Sequence, residues 1–206
     1  MQIDTIVIER EDGPLYCGIL FYEHAAEPLY LPWTIDLENP QKIVLKLFQP
    51  GFSEVVMPFD RIEDAVRAGE VDVGLLIHEG QLTYADAGLH LWADLGAWWL
   101  EDTGLPLPLG GNAVRRDLGR QVIEQIGKDL RASIVYALEH RAPALEHASR
   151  YNRGIGDERT DTFVGMYVNQ WTVDYGPRGR AAVQELLDRG HLAGLIPGRV
   201  AVDFVG

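Results

Sequence analysis

The hydrophobic pattern changes period along the chain, and the changes mark the elements. Residues 2–9, Gln-Ile-Asp-Thr-Ile-Val-Ile-Glu, are rich in β-branched side chains and predict a strand. Gly13-Pro14 marks a turn, and Leu15 to Tyr22 predicts a second strand. Between Glu23 and Pro40 the pattern is broken by Pro28, Pro32 and Pro40 and predicts loop. Gln41 to Gln49 predicts a short helix ended by Pro50-Gly51. Glu54-Val-Val-Met-Pro-Phe59 predicts a strand. Residues 60–68 then carry Ile62, Ala65 and Val66 at helical spacing, with Asp60 as N-cap and Gly69 as stop. The run Val71-Asp-Val-Gly-Leu-Leu-Ile77 predicts a buried strand. Strand, helix and strand in that order imply two parallel strands with a crossover helix.

Leu89 to Leu95 predicts another strand, and Trp98-Trp99 to Thr103-Gly104 a helical turn or loop. Leu105-Pro-Leu-Pro-Leu-Gly-Gly-Asn112-Ala-Val predicts an extended crossing segment, because each proline removes a ladder donor. A long helix is expected from about 117 to 139. Its Leu118, Val122, Ile126, Leu130, Ile134 and Leu138 recur every four residues and form one apolar stripe. Further helices are expected over 143–151, 161–173 and 177–189, and a closing strand over 199–205. The pattern as a whole predicts an α/β chain. There is no internal repeat.

Composition and charge narrow the function classes. The chain has 206 residues, 47% of them hydrophobic, enough for a sizeable core. The formal charge is −13, which argues against nucleic acid or an anionic membrane surface as partner. Ten acids and two bases lie between Asp60 and Asp102, so eight of the thirteen excess negative charges fall there. An anionic ligand in that region needs local donors rather than a general positive field. The single cysteine, Cys17, excludes an intramolecular disulfide, and the six histidines are scattered, so no metal site is expected. The N-terminus lacks the basic and apolar regions of a signal peptide, and no apolar run approaches the ~20 residues of a membrane span. The expected location is cytoplasmic.

Candidate chemistry centres on His78, placed where the run Val71–Ile77 ends. In open α/β sheets ligands gather beyond the carboxyl ends of strands. An unperturbed imidazole titrates near ~6.5, so it exchanges protons at neutral pH. Thr83 and Tyr84 follow within hydrogen-bonding range of such a site, although Thr83 reads equally as a helix cap and Tyr84 as a half-buried core ring. Asn112 follows Gly110-Gly111, where backbone approaches a ligand closely or simply turns. Glu79 reads as part of the acidic face.

Several ordered blocks carry a resemblance. They are Met57-Pro-Phe-Asp60-Arg-Ile, Ala68-Gly-Glu-Val71-Asp-Val-Gly-Leu-Leu-Ile-His78-Glu79 and Thr83-Tyr84. They continue with Asp94-Leu-Gly-Ala-Trp98-Trp99, Thr103-Gly-Leu-Pro-Leu-Pro-Leu-Gly110, Arg115-Arg116-Asp117-Leu118-Gly119 and Tyr167-Val-Asn169. Together they resemble 1,4-dihydroxy-6-naphthoate synthase of the futalosine route to menaquinone, over roughly three quarters of the chain. The resemblance implies a fold like that of type-2 periplasmic solute-binding proteins, in which two α/β lobes clasp a ligand. It implies a lyase-type step on cyclic de-hypoxanthine futalosine, a small carboxylated substrate, with His78 as base and with no metal or redox cofactor.

The resemblance fades before about Val44. The family's first lobe contributes a Ser/Pro/Asn-Asp loop and a Thr-Thr-Ala-Tyr helix start to the cleft. The corresponding stretch here reads Pro-Trp-Thr-Ile-Asp-Leu-Glu-Asn-Pro-Gln-Lys over 32–42. Residues 1–43 are therefore expected as a divergent strand-and-loop segment, 44–112 as the α/β lobe carrying His78, and 113–206 as a mainly helical return. One lobe is expected to be incomplete, and uncovered apolar faces favour a homo-oligomer. Two other readings compete: a carboxylate-binding module of the same fold without catalysis, and an inactive truncated remnant.

Overall fold

The computed structural model describes residues 16–17, 40–77, 79–109, 111–150 and 157–205. The described residues are mostly helical with few strands. Strand β1 (Tyr16–Cys17) pairs in parallel with β2 (Leu107–Pro108), Tyr16 opposite Leu107 and Cys17 opposite Pro108. The helices are α1 (Pro40–Phe48), α2 (Ile62–Arg67), α3 (Leu95–Thr103), α4 (Arg120–Glu139), α5 (Arg141–Ser149), α6 (Asp157–Tyr167), α7 (Gln170–Val173) and α8 (Gly176–Leu192). Single 3-10 turns occupy Phe59–Arg61, Glu79–Leu82 and Arg116–Leu118. The expected strands at 2–9 and most of 15–22 lie outside the described residues.

The main core joins α1, α3, α8 and β2. Ile43, Val44, Leu95, Trp99, Leu107, Leu186, Leu187 and Ile196 are its buried members. Trp99 is fully buried, and its indole N–H donates to the Pro106 carbonyl at 3.2 Å, so the largest core side chain leaves no polar atom unpaired. Burial of each such large apolar side chain stabilises by roughly 1.5–3 kcal/mol. Gly190 on α8 lets Ile196 approach closely: a Cβ there would stand 2.7 Å from the Ile196 Cδ1 atom. Helix α3 begins where the Asp94 carboxylate accepts the Ala97 N–H at 2.7 Å. It ends at Gly104, whose φ of 69° allows its N–H to reach the Leu100 carbonyl.

A second, smaller cluster gathers Ile62, Leu76 and Tyr84, with Met57, Phe59 and Leu89 packed against it. The segment from Val71 to Ile77 runs between the two clusters. Leu75 faces the main core and Leu76 the smaller one, the alternation of an extended chain. Gly74 passes under α2, where a Cβ would stand 2.5 Å from the Ile62 Cγ2 atom. The glycine inside the apolar run is thus explained by close packing on a helix.

Several expected strands do not form. Residues 54–58 carry no strand, and 71–77 carry only an isolated bridge at Leu75. The parallel β-α-β unit is therefore corrected to extended chain, short helix and extended chain. The helix itself is present, but it opens with the turn Phe59–Arg61, and Asp60 lies inside that turn without acting as the cap. Within 71–77, Leu75 and Leu76 are explained by packing against the two clusters, which needs no neighbouring strand, whereas Val73 is exposed. Leu89 to Asp94 is also strandless, and Leu95 opens α3 instead, with the Asp94 side chain as its cap. The closing segment 199–205 alternates as a strand does, with Val200, Val202 and Phe204 turned inward. Its backbone partner is a side chain. The Gln184 amide donates to the Val200 carbonyl at 2.7 Å and accepts the Val202 N–H at 3.2 Å.

The long helix forms as expected, but its stripe faces outward. Leu118, Val122, Ile126 and Leu130 are 40–47% exposed. The expected helix over 161–173 is split into α6 and α7 at Val168-Asn169. Among the described residues, no helix is long and apolar enough to cross a membrane.

Candidate active site

His78 lies outside the described residues, but the chain on both sides of it is defined. The extended segment ending at Ile77 delivers the chain to position 78, and the 3-10 turn Glu79–Leu82 carries it away. Thr83 and Tyr84 close that turn through N–H donation to the Gly80 carbonyl at 3.1 and 2.9 Å. Thr83 is half-buried. The Tyr84 ring is 5% exposed and belongs to the smaller core cluster, the packing anticipated for a core ring. Asn112 is exposed in the loop between β2 and the turn Arg116–Leu118. Thr83 and Tyr84 are thus held at the turn after His78, whereas Asn112 stands on a separate loop.

Helix α6 packs on this turn and supplies two contacts that the sequence did not disclose. The Tyr167 hydroxyl donates to the Ile77 carbonyl. The same hydroxyl accepts the Gln81 amide N–H at 3.0 Å. Gln81 is 5% exposed, so this buried amide has its polar group engaged rather than stranded. Further along, Arg159 of α6 pairs with Asp86 at 2.7 Å.

The direction of Tyr167 is fixed by the phrase Tyr167-Val-Asn169. The Asn169 carboxamide oxygen accepts the Trp171 N–H at 2.9 Å, capping α7. Its amide nitrogen donates to the Gly165 and Met166 carbonyls, both at 3.2 Å, closing the end of α6. The Thr172 hydroxyl accepts the Asn169 N–H at 3.2 Å and donates to the Tyr167 carbonyl at 2.7 Å. One asparagine therefore joins two helices and points the tyrosine at the loop. The resemblance had marked this phrase without showing what it does.

Ahead of the acidic segment, an ion-pair cluster ties α1 to the chain that follows it. Glu54 stands between Lys42 and Lys46, 3.0 Å from each ammonium group. Hydrogen bonds from Lys42 and then Lys46 hold its carboxyl below the usual carboxylate range. A cleft of about 80 Å³ beside α2 is lined by Ile62, Val66, Gly74, Leu76, His90 and Trp92 among others. It is well short of the roughly 300 Å³ at which small-molecule sites begin. Among the described residues, no group of three or more His, Cys, Asp or Glu side chains could hold a metal ion.

The family model described as menaquinone biosynthesis matches residues 41–192, and the chain belongs to this family. The chain is similar to the 1,4-dihydroxy-6-naphthoate synthase of Thermus thermophilus, 42% identical over 197 residues, covering 93% of this chain and 72% of the relative. It is similar to the enzyme of the same name from Streptomyces coelicolor, 42% identical over 147 residues, covering 69% of this chain and 51% of the relative. A crystal structure of an Archaeoglobus fulgidus protein superposes with a TM-score of 0.74 at 46% identity, over 78% of this chain and 61% of that one. The chain thus spans between about half and three quarters of the length of these relatives. The expected family, its role in menaquinone biosynthesis and its enzymatic nature are borne out.

Proposed function

We propose that this chain carries out the lyase-type conversion of cyclic de-hypoxanthine futalosine to 1,4-dihydroxy-6-naphthoate, with His78 as general base. The observation that carries the proposal is the family match over residues 41–192, which contains the Ile77-His78-Glu79 block. The chemistry suits an imidazole. Breaking a bond next to an acidic proton needs a base within hydrogen-bond reach of that proton, with an affinity for it matched to neutral pH. Anchoring of the loop at Ile77 and Gln81 supports a fixed position for that base.

The proposal extends to the surroundings. Thr83, Tyr84 and Asn112 are its substrate-binding residues. For Thr83 its half-exposed place at the turn supports contact through the hydroxyl, and for Tyr84 its burial supports a role in the wall behind the substrate. The fold is proposed to be of the type-2 periplasmic-binding-protein kind, with the substrate's carboxylate held in a cleft between lobes. The protein is proposed to work in the cytoplasm, without metal or redox cofactor. The outward apolar stripe of α4 supports pairing of two copies, which light scattering across a concentration series tests directly.

The test of function is incubation of the purified chain with cyclic de-hypoxanthine futalosine, following naphthoate by absorbance. Product formation above the uncatalysed blank is expected. A folded chain that yields no product contradicts the proposal. A substrate-dependent rise in melting temperature would then mark it as a binding module instead.

A further inference from the structure

We infer that Tyr167 is a positioning residue for the base, acting through the backbone on either side of it. The inference rests on the reading of His78 as that base. The carbonyl of Ile77 belongs to the peptide group that joins Ile77 to His78, so whatever holds this oxygen sets the plane from which His78 departs. Tyr167 holds it by donating its O–H. The hydroxyl oxygen of Tyr167 in turn accepts from the Gln81 amide, three residues beyond His78. A single hydroxyl thus ties the approach to position 78 to the exit from it.

Three features separate this contact from ordinary packing. The hydroxyl uses its donor and an acceptor site on the two flanks of one residue, so it constrains the loop twice. Gln81 is nearly buried, which excludes water as an easy substitute for its partner. The backbone of the tyrosine is held where α6 meets α7: the Thr172 hydroxyl donates to its carbonyl at 2.7 Å, and the Asn169 amide donates to the Gly165 carbonyl two residues before it at 3.2 Å. The Tyr167 ring also packs on Phe163 at 5.0 Å between centroids, so loss of the hydroxyl alone leaves the ring in place.

The variant Tyr167→Phe tests the inference on the full chain with cyclic de-hypoxanthine futalosine. A base displaced on the order of 1 Å can lose about 100-fold in rate. The expected result is a fall in kcat of about 10–100-fold with KM changed less than about twofold. A substrate deuterated at the abstracted position is expected to show a larger isotope effect in the variant, because proton removal becomes slower relative to later steps. Gln81→Leu combined with Tyr167→Phe is expected to be little worse than Tyr167→Phe alone, since the two act as one unit. Asp161→Asn supplies the control. It weakens the exposed pair between Arg141 of α5 and Asp161 of α6 without touching the loop and is expected to keep the parent kcat. An active parent with an unchanged Tyr167→Phe overturns the inference and leaves the function standing. So does an equal loss in Tyr167→Phe and Asp161→Asn, which reports helix stability alone. An inert parent overturns the function and the inference with it.

Discussion

Replacing Gln184 by Leu should unfasten the closing segment of the chain from α8. The substitution shortens the side chain by one atom, keeps most of its packing and removes the amide. Two backbone groups then lose their partner, the Val200 carbonyl at 2.7 Å and the Val202 N–H at 3.2 Å. Each such bond contributes about 0.5–1.5 kcal/mol net, so the upper range for the pair is about 3 kcal/mol. Val200 and Val202 are only half-buried, and water replaces part of what is lost, which favours a value of roughly 1–2 kcal/mol. In a chain of this size that corresponds to a fall in Tm of roughly 2–8 °C. The amide of Gln184 also donates to Asp188 at 3.2 Å, a side chain that Arg199 pairs with independently, so this third bond adds little. The assay is differential scanning fluorimetry with hydrogen exchange read at the Val202 amide. The expected result is the stated fall in Tm with faster exchange at Val202. An unchanged Tm and unchanged protection at that amide would refute the view that one side chain serves as this segment's strand partner.

Three further outcomes follow from the geometry. Gly74→Ala places a methyl 2.5 Å from the Ile62 Cγ2 atom and 3.0 Å from that of Val66, so denaturant titration should show a loss of about 1–3 kcal/mol; an unaffected midpoint would mean α2 does not press on this segment. Asp94→Ala removes the carboxylate that accepts the Ala97 N–H and should cost about 1 kcal/mol by the same titration, whereas Asp94→Asn should retain most of it. Glu54 has a folded-state affinity for protons lowered by Lys42 and Lys46, so its contribution is present above its ordinary unfolded value of 4.5 and is lost as pH falls through the lower folded value. Glu54→Gln should flatten that part of the acid-side stability profile, and an identical profile in the variant would show that the two lysine contacts carry no weight.

The helices were the more legible part of the fold, and the reason is local. Helix α1 sits between a proline and Pro50-Gly51, α2 is stopped by Gly69, and α8 starts at a proline-containing turn. Such signals act within a few residues and need no knowledge of the rest of the chain. The strands were less legible because an apolar run records burial, not pairing. Within 71–77, Leu75 and Leu76 turn to opposite clusters, and 199–205 alternate because α8 covers one face. Both patterns are what a strand would show, yet neither segment has a strand beside it among the described residues. Leu89 to Leu95 misled for another reason: it is apolar but holds no β-branched residue, and Asp94 caps a helix near its end.

The candidate site divides in the same way. His78 was legible as a residue at the end of an apolar run and as part of a motif. The blocks around it identified the family. The brace from Tyr167 was not legible, because 90 residues separate it from Ile77 and 86 from Gln81. No spacing rule links positions that far apart. Only the phrase Tyr167-Val-Asn169 hinted at it, and its meaning depends on where α6 comes to rest.

The central claim is that His78 removes the proton in naphthoate formation. The most direct measurement compares the parent chain with His78→Asn in the conversion of cyclic de-hypoxanthine futalosine, at matched folded concentration and neutral pH. The account predicts turnover by the parent and a loss of about 10²–10⁴-fold in the variant, with the melting transition retained. Turnover by His78→Asn at the parent's rate would contradict it.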